Sequence, residues 1–326
     1  MAVVLTVMAL AGCASAPPWP EDPAGPADTV VQSDADVLVP DVPFYPQEKY
    51  QCGPAALATV LNTQGLNTSP EELKDKVYIP GREGSLQVEL VATARDYGML
   101  VYPLEPEVDN ILAEVSAGNP VLVMQNLGLD WWPQWHFAVV VGYNHDAQTL
   151  ILNTDTREHY AMAYDVFHAT WNRAERWAVV ALPPSELPAT AQPVAFLRSA
   201  HDLETTRHYG DALTAYQAAE QRWPDTPTPL LAQGNLEYSL ANTDRALGHF
   251  TRLVDRFRDY APGWNNLAHA LDSVGCQDGA QKALSCAMEL APNTFDDEDF
   301  SRSTPGMQSC PPVPECPVAP GEGDTN

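Results

Sequence analysis

The sequence predicts an α+β domain over residues 41–184 followed by an all-α array over residues 193–295. Three observations carry that reading. Helix signals dominate up to residue 119 and short β-rich runs replace them afterwards, the segregated order of an α+β fold rather than an alternating α/β one. Beyond a Pro-rich linker at 185–192, small and apolar residues return every 34 positions. The segments outside these two parts are acidic, Pro-rich and poor in apolar residues, a composition that cannot bury enough surface to fold.

The helices come first. "CGPAALATVLN", Cys52 to Asn62, is a small-residue apolar run with Pro54 in its first turn, where a missing N–H costs nothing. In "SPEELKDKV", Ser69 is an N-cap, Pro70 takes N1 and Glu72 completes a capping box. "SLQVELVATARDYG" gives a third helix with Ser85 as its cap and Gly98 as its stop. A fourth runs from about Val108 to Ala117 and ends at Gly118-Asn119-Pro120. The period then changes: "PVLVMQNL", "HFAVVVGYN", "TLILNT" and "WAVVAL" read as strands, with His145-Asp146 in a hairpin turn.

In the array, Ala212, Ala246 and Ala280 keep the 34-residue step. So do Tyr216, Phe250 and Leu284, and likewise Ala219, Leu253 and Ala287. Trp264, Leu267, Ala268, Leu271 and Gly275 fill the first helix of the last copy, and Pro224 and Pro292 close helix pairs. This pattern resembles tetratricopeptide repeats, about three of them, whose stacked helix pairs present a concave groove to peptides or partner proteins.

The formal charge of the 326 residues is −26, which argues against nucleic acid as a partner, because phosphates are repelled. Nearly half of it, −12, sits in residues 14–41 and 296–326 together with 12 of the 30 prolines. Residues 14–40 are therefore expected to be a disordered tether and 296–326 a disordered acidic tail. At the start, Leu5 to Ala11 is too short to span a bilayer but suits the apolar region of a secretory signal. Leu10-Ala11-Gly12-Cys13 resembles a bacterial lipobox, although no Lys or Arg precedes the apolar run. That resemblance implies a signal peptide over 1–13, lipidation at Cys13 and attachment to the outer membrane facing the periplasm, the only membrane contact expected. Cys310 and Cys316 would close a local disulfide in an oxidising compartment, while Cys276 and Cys286 are left unpaired by sequence.

Chemistry concentrates in the first domain. Cys52 starts a helix, where the macrodipole and unpaired N–H groups favour a thiolate. His136 opens a strand, and the next strand, running back antiparallel, delivers Asn153 and Asp155 beside it. Both are at odd positions and so are expected on one face. Either could accept from the imidazole and fix its tautomer. Cys, His and Asn or Asp in that order form a cysteine-peptidase constellation.

"PQEKYQCGPAALA" together with "WHFAVVVGYN" resembles the papain-like peptidases that remove double-glycine leaders from bacteriocins. The likeness is closer still to their stand-alone relatives with a tetratricopeptide domain behind. It covers about Val42 to Leu182. By that resemblance Gln47 donates to the oxyanion alongside the Cys52 N–H, with Gln51 as the alternative because Gln47 precedes Cys52 by five residues rather than six. The family's Asp-Pro after the second strand is replaced by Asn153-Thr154-Asp155-Thr156. The implied activity is hydrolysis of peptide bonds in a peptide or protein substrate, with no cofactor and no metal. Two other readings remain: a periplasmic scaffold lipoprotein that binds through its repeats, and an amide-forming acyltransferase. Trp131, Trp132 and Trp135, just before His136, are expected to pack their loop onto the domain or to wall the substrate.

Overall fold

The computed structural model describes residues 16–20, 36–47, 51–82, 84–296, 300 and 310–317. These divide into two compact units, one within 1–94, 101–181 and 188–190, the other within 95–100, 182–187 and 191–326. Cys13, the candidate lipidation site, lies outside the described residues.

The first unit is built around one sheet. In chain order its elements are β1 (Asp36–Leu38), α1 (Cys52–Thr63), α2 (Pro70–Val77), α3 (Gln87–Asp96), β2 (Leu100–Pro103), α4 (Val108–Ser116) and β3 (Val121–Asn126). They continue with β4 (Trp135–Asn144), β5 (Thr149–Thr154), β6 (Arg157–Ala163), α5 (Tyr164–Asn172) and β7 (Ala178–Leu182). The strands lie in the order β2-β7-β3-β4-β5-β6, with β1 also on β4. Strand β4 is the spine. One of its edges is lined by β3 over Trp135–Val140 and then by β1 over Gly142–Asn144. Its other edge is lined by β5, but only from Val139 onward.

Helix α1 is buried along its whole middle, Gly53 to Leu61, and packs against β3, β4 and β5. Its alanines permit close approach to the sheet. Leu57 and Leu61, at 1% and 0% exposure, add about 2 kcal/mol each by apolar burial. The capping box on α2 forms with Ser69 and Glu72. Ser85 does not cap the third helix: α3 starts at Gln87, and the Ser85 Oγ is buried without a hydrogen-bond partner. It packs where a Cβ on Gly53 would stand, 2.4 Å away, so the residue after Cys52 has to be glycine.

Four elements escape a sequence reading. β1 and β2 are three and four residues long. β6, "REHYAMA", is a largely exposed strand with no apolar alternation, and α5 follows its N-cap residue Ala163 without a side-chain cap bond. The segment 14–40, expected to be disordered, also contributes structure. Besides β1, Trp19 is 8% exposed, packs its ring on Tyr143 and Tyr164, and donates from Nε1 to His145 Nδ1 at 2.9 Å. The linker is pinned at one point as well. The fully buried Glu114 carboxylate accepts from Thr190 N at 2.8 Å, Thr190 Oγ1 at 2.6 Å, Ala189 N at 3.1 Å and Asn119 Nδ2 at 2.7 Å.

The second unit is three helix pairs: α6 (Pro193–Thr205) with α7 (Tyr209–Arg222), α8 (Thr228–Ser239) with α9 (Thr243–Arg256), and α10 (Ala261–Ser273) with α11 (Gln277–Leu290). The nine periodic positions, from Ala212 to Ala287, are all at most 2% exposed. Pro193, Pro229 and Pro262 open helices, where proline has no intrahelical N–H to lose.

The acidic tail is not wholly free of structure either. Cys310 pairs with Cys276 and Cys316 with Cys286, so the expected Cys310–Cys316 loop does not form. The reason is physical. The last pair of a stack has an apolar face with no following helix, and Phe300 and Val313 cover it.

Two stability predictions follow from this packing. A Cβ on Gly142 would stand 2.4 Å from the Val37 carbonyl of β1. Gly142→Ala is expected to lower stability by about 1–3 kcal/mol in urea unfolding of the full chain, and an unchanged midpoint would contradict the β1–β4 pairing. Replacing Cys276 and Cys310 together by Ser is expected to cost about 3 kcal/mol, read as a lower unfolding midpoint of the helical unit.

Candidate active site

β5 ends at Thr154, whereas β4 extends back to Trp135, so the beginning of β4 has no strand partner on that edge. The backbone left open there is used by the site. The Phe137 carbonyl accepts from Gln47 Nε2 at 3.5 Å, and the Phe137 N–H reaches the Cys52 sulfur. The backbone N–H groups of Gly53 and of Cys52 itself also face that sulfur, as the first turn of a helix allows. Cys52 is the free thiol among the described residues.

His136 is the second residue of β4, 8% exposed, and its neighbour in sequence is the residue that touches the thiol. Its Nε2 lies 2.7 Å from Thr154 Oγ1 and 3.7 Å from Asp155 Oδ1. Asp155 is past the end of β5, in the turn to β6, with φ +50°. Its other oxygen accepts from Arg157 Nη2 at 3.0 Å, and its backbone carbonyl accepts from Gln47 N at 2.8 Å. Cys52, His136, Asp155 and Gln47 are thereby drawn to one end of the sheet.

Asn153 is not part of this group, which corrects the parity expectation. In register it faces Val139, an odd number of residues from His136, so its side chain falls on the opposite face. There the Asn153 Oδ1 accepts from His159 N at 3.1 Å, while its Nδ2 is buried without a partner. Thr154, one residue on, takes the face of His136. Sequence reasoning passed over it because a threonine at the end of a strand ordinarily signals only β-propensity. The register was the signal that could have found it.

Gln51 is the N-cap residue of α1 without a side-chain cap bond. Gln47 has its backbone on Asp155, its amide nitrogen on Phe137 and a buried Oε1 without a partner. Trp131, Trp132 and Trp135 do not pack their loop onto the domain. They are 76%, 66% and 52% exposed, on a hairpin whose shape is set from within. Asn126 Oδ1 accepts from Gly128 N and Gln134 N, both at 2.9 Å, and Leu129 and Trp132 exchange backbone bonds.

Burial dominates the electrostatics. It pushes the Cys52 thiol above its ordinary value, against the opposing pull of the Phe137, Gly53 and Cys52 N–H groups, and the Asp155 charge pushes the same way as burial. Burial lowers the His136 imidazole, opposed by Asp155 and reinforced by Arg157. Both groups thus rest in their neutral forms at neutral pH.

Residues 39–179 match the family model described as Peptidase_C39 like family. Among solved structures, a chain described as a C39-like peptidase from Bacillus anthracis is 16% identical, with TM-score 0.39, covering 46% of this chain and 98% of its own. The peptidase domain of Streptococcus ComA, a bifunctional ABC transporter of a quorum-sensing pathway, is 20% identical, with TM-score 0.36, covering 44% and 98%. No curated protein matches the chain.

The two shifts have opposite pH signatures. For His136 the folded value lies below the ordinary 6.5, so the stability it contributes is present above that pH and is lost as pH falls below it. For Cys52 the folded value lies above 9.0, so its contribution is present below that pH and is lost as pH rises beyond it. His136→Gln is expected to flatten the decline of the unfolding midpoint between about pH 6.5 and 5. A decline as steep as wild type would exclude His136 as its source.

Proposed function

We propose that the first unit hydrolyses peptide bonds as a cysteine peptidase, with Cys52 as nucleophile and His136 as its base. The observation that carries this is a free thiol at a helix start, faced by three backbone N–H groups, beside a buried histidine on the adjoining strand. With Nε2 occupied, Nδ1 of His136 is the ring nitrogen available to take the thiol proton. The thiolate then attacks the scissile carbonyl carbon, and the oxyanion that forms is held by the Cys52 N–H and the Gln47 amide. Collapse of this intermediate breaks the C–N bond as His136 returns its proton to the leaving amine. His136 next removes a proton from water, which attacks the thioester. The carboxylic acid leaves, and the sulfur regains its proton. Asp155 favours the transient imidazolium by its charge.

Substrate approach, in this reading, passes the tryptophan hairpin, whose exposed rings suit apolar side chains of an extended peptide. Helices α6–α11 act as a tetratricopeptide array that recruits a substrate protein or a partner; their 34-residue period and buried small residues support this. Export and lipid attachment at Cys13 are supported by the lipobox-like run and by two disulfides, which persist in oxidising compartments.

A second reading, a non-catalytic scaffold that binds through its helices, is favoured by the burial of both Cys52 and His136, which disfavours the charged form of each. The two readings separate on one measurement. Cys52→Ala is expected to abolish peptide-thioester trapping and cleavage across a diverse peptide library, with an unchanged circular dichroism spectrum. Trapped peptide that persists in the variant would refute the nucleophile assignment. A wild-type protein that traps nothing would favour the scaffold.

A further inference from the structure

His136 Nε2 has two neighbours, and they differ in kind. Thr154 Oγ1 stands at 2.7 Å, a normal hydrogen bond to a hydroxyl. Asp155 Oδ1 stands at 3.7 Å, beyond hydrogen-bonding distance. The Asp155 side chain is 47% exposed, and its second oxygen is engaged by Arg157 at 3.0 Å, so solvent and a cation both dilute its pull on the ring. Thr154 is 2% exposed. It is the last residue of β5, paired across to Arg157 of β6, and its branched Cβ restricts χ1, so the hydroxyl has a fixed position. Asp155, by contrast, hangs on a turn residue with φ +50°.

We propose that Thr154 is the positioning residue of this site: its hydroxyl oxygen accepts from His136 Nε2–H, fixes the ring, and leaves Nδ1 as the unprotonated ring nitrogen. This rests on the peptidase reading and adds to it an uncharged partner where a carboxylate or amide was expected. Asp155 then acts at a distance as a charge, not as the hydrogen-bond partner of the ring. An uncharged partner stabilises the imidazolium less than a carboxylate would. The thiol–imidazole pair therefore stays neutral until substrate arrives, in keeping with its burial.

The test follows the alkylation rate of Cys52 by iodoacetamide against pH in the full chain, with the Cys52 peptide quantified by mass spectrometry. Thr154→Val keeps the shape and removes the hydroxyl. It is expected to slow alkylation at neutral pH by about tenfold to a hundredfold, the equivalent of one buried hydrogen bond, and to displace the pH limb. Thr154→Ser is expected to restore the wild-type profile within about threefold, and Asp155→Asn to slow alkylation by clearly less than Thr154→Val does. A Thr154→Val profile that overlays wild type overturns the proposal. So does an Asp155→Asn loss as large as that of Thr154→Val.

His136→Ala separates this inference from the reading beneath it. If that variant leaves the profile unchanged, Cys52 is not activated by His136 and both fail. If it flattens the profile while Thr154→Val does not, only the role of Thr154 fails. Should Thr154→Val not fold, nitrogen NMR of the His136 ring still decides: an Nε2–H tautomer that persists in Asp155→Asn supports the assignment, and an Nδ1–H tautomer, or one that switches in Asp155→Asn, overturns it.

Discussion

Strands β4 and β5 differ in length, and the site exists because of that difference. A strand buried on both faces must find partners for its backbone groups along both edges. On one edge β4 does so with β3 and β1 in succession. On the other, β5 stops at Thr154, and the first residues of β4 are left with donors and acceptors aimed at a helix start instead of a strand. A thiol and a glutamine amide take them up. The histidine lies on the same uncovered stretch, so thiol and imidazole are drawn to the same end of one incomplete ladder.

That origin explains the electrostatic character of the site. Groups gathered at the end of a sheet, behind an apolar helix, are poorly solvated, and poor solvation penalises charge on either partner. Backbone N–H groups compensate on the sulfur side without bringing a charge of their own. On the imidazole side the nearest carboxylate is shared with Arg157 and stands in the turn beyond the strand. Burial on both sides therefore favours a neutral thiol and a neutral imidazole over a standing charge separation.

Much of this was legible from residues in order. The helix behind Cys52 follows from an uninterrupted small apolar run, the capping box of α2 from Ser69 and Glu72, and the helical pairs from a period that three registers share. What could not be read depended on pairing. Whether Asn153 or its neighbour faces His136 is decided by which β4 residue each opposes, and a shift of one residue exchanges the faces. β6 was hidden because an exposed strand carries charges in place of alternation. Ser85 illustrates a different limit: its sequence context signals a helix cap, yet packing against Gly53 claims it. The cysteine partners were misread because sequence proximity says nothing about which sulfurs a folded tail brings close.

The stapled tail gives the helical unit a direction. Stacked repeats touch only their neighbours, so such a stack ordinarily frays from either end with similar ease. Here two bridges, spanning 34 and 30 residues of chain, fasten the final segment to the N-cap and the body of the last helix. A pull on the C-terminal end passes through sulfur into α11 rather than peeling it away. Within the helical unit, the last pair should therefore be the final part to let go.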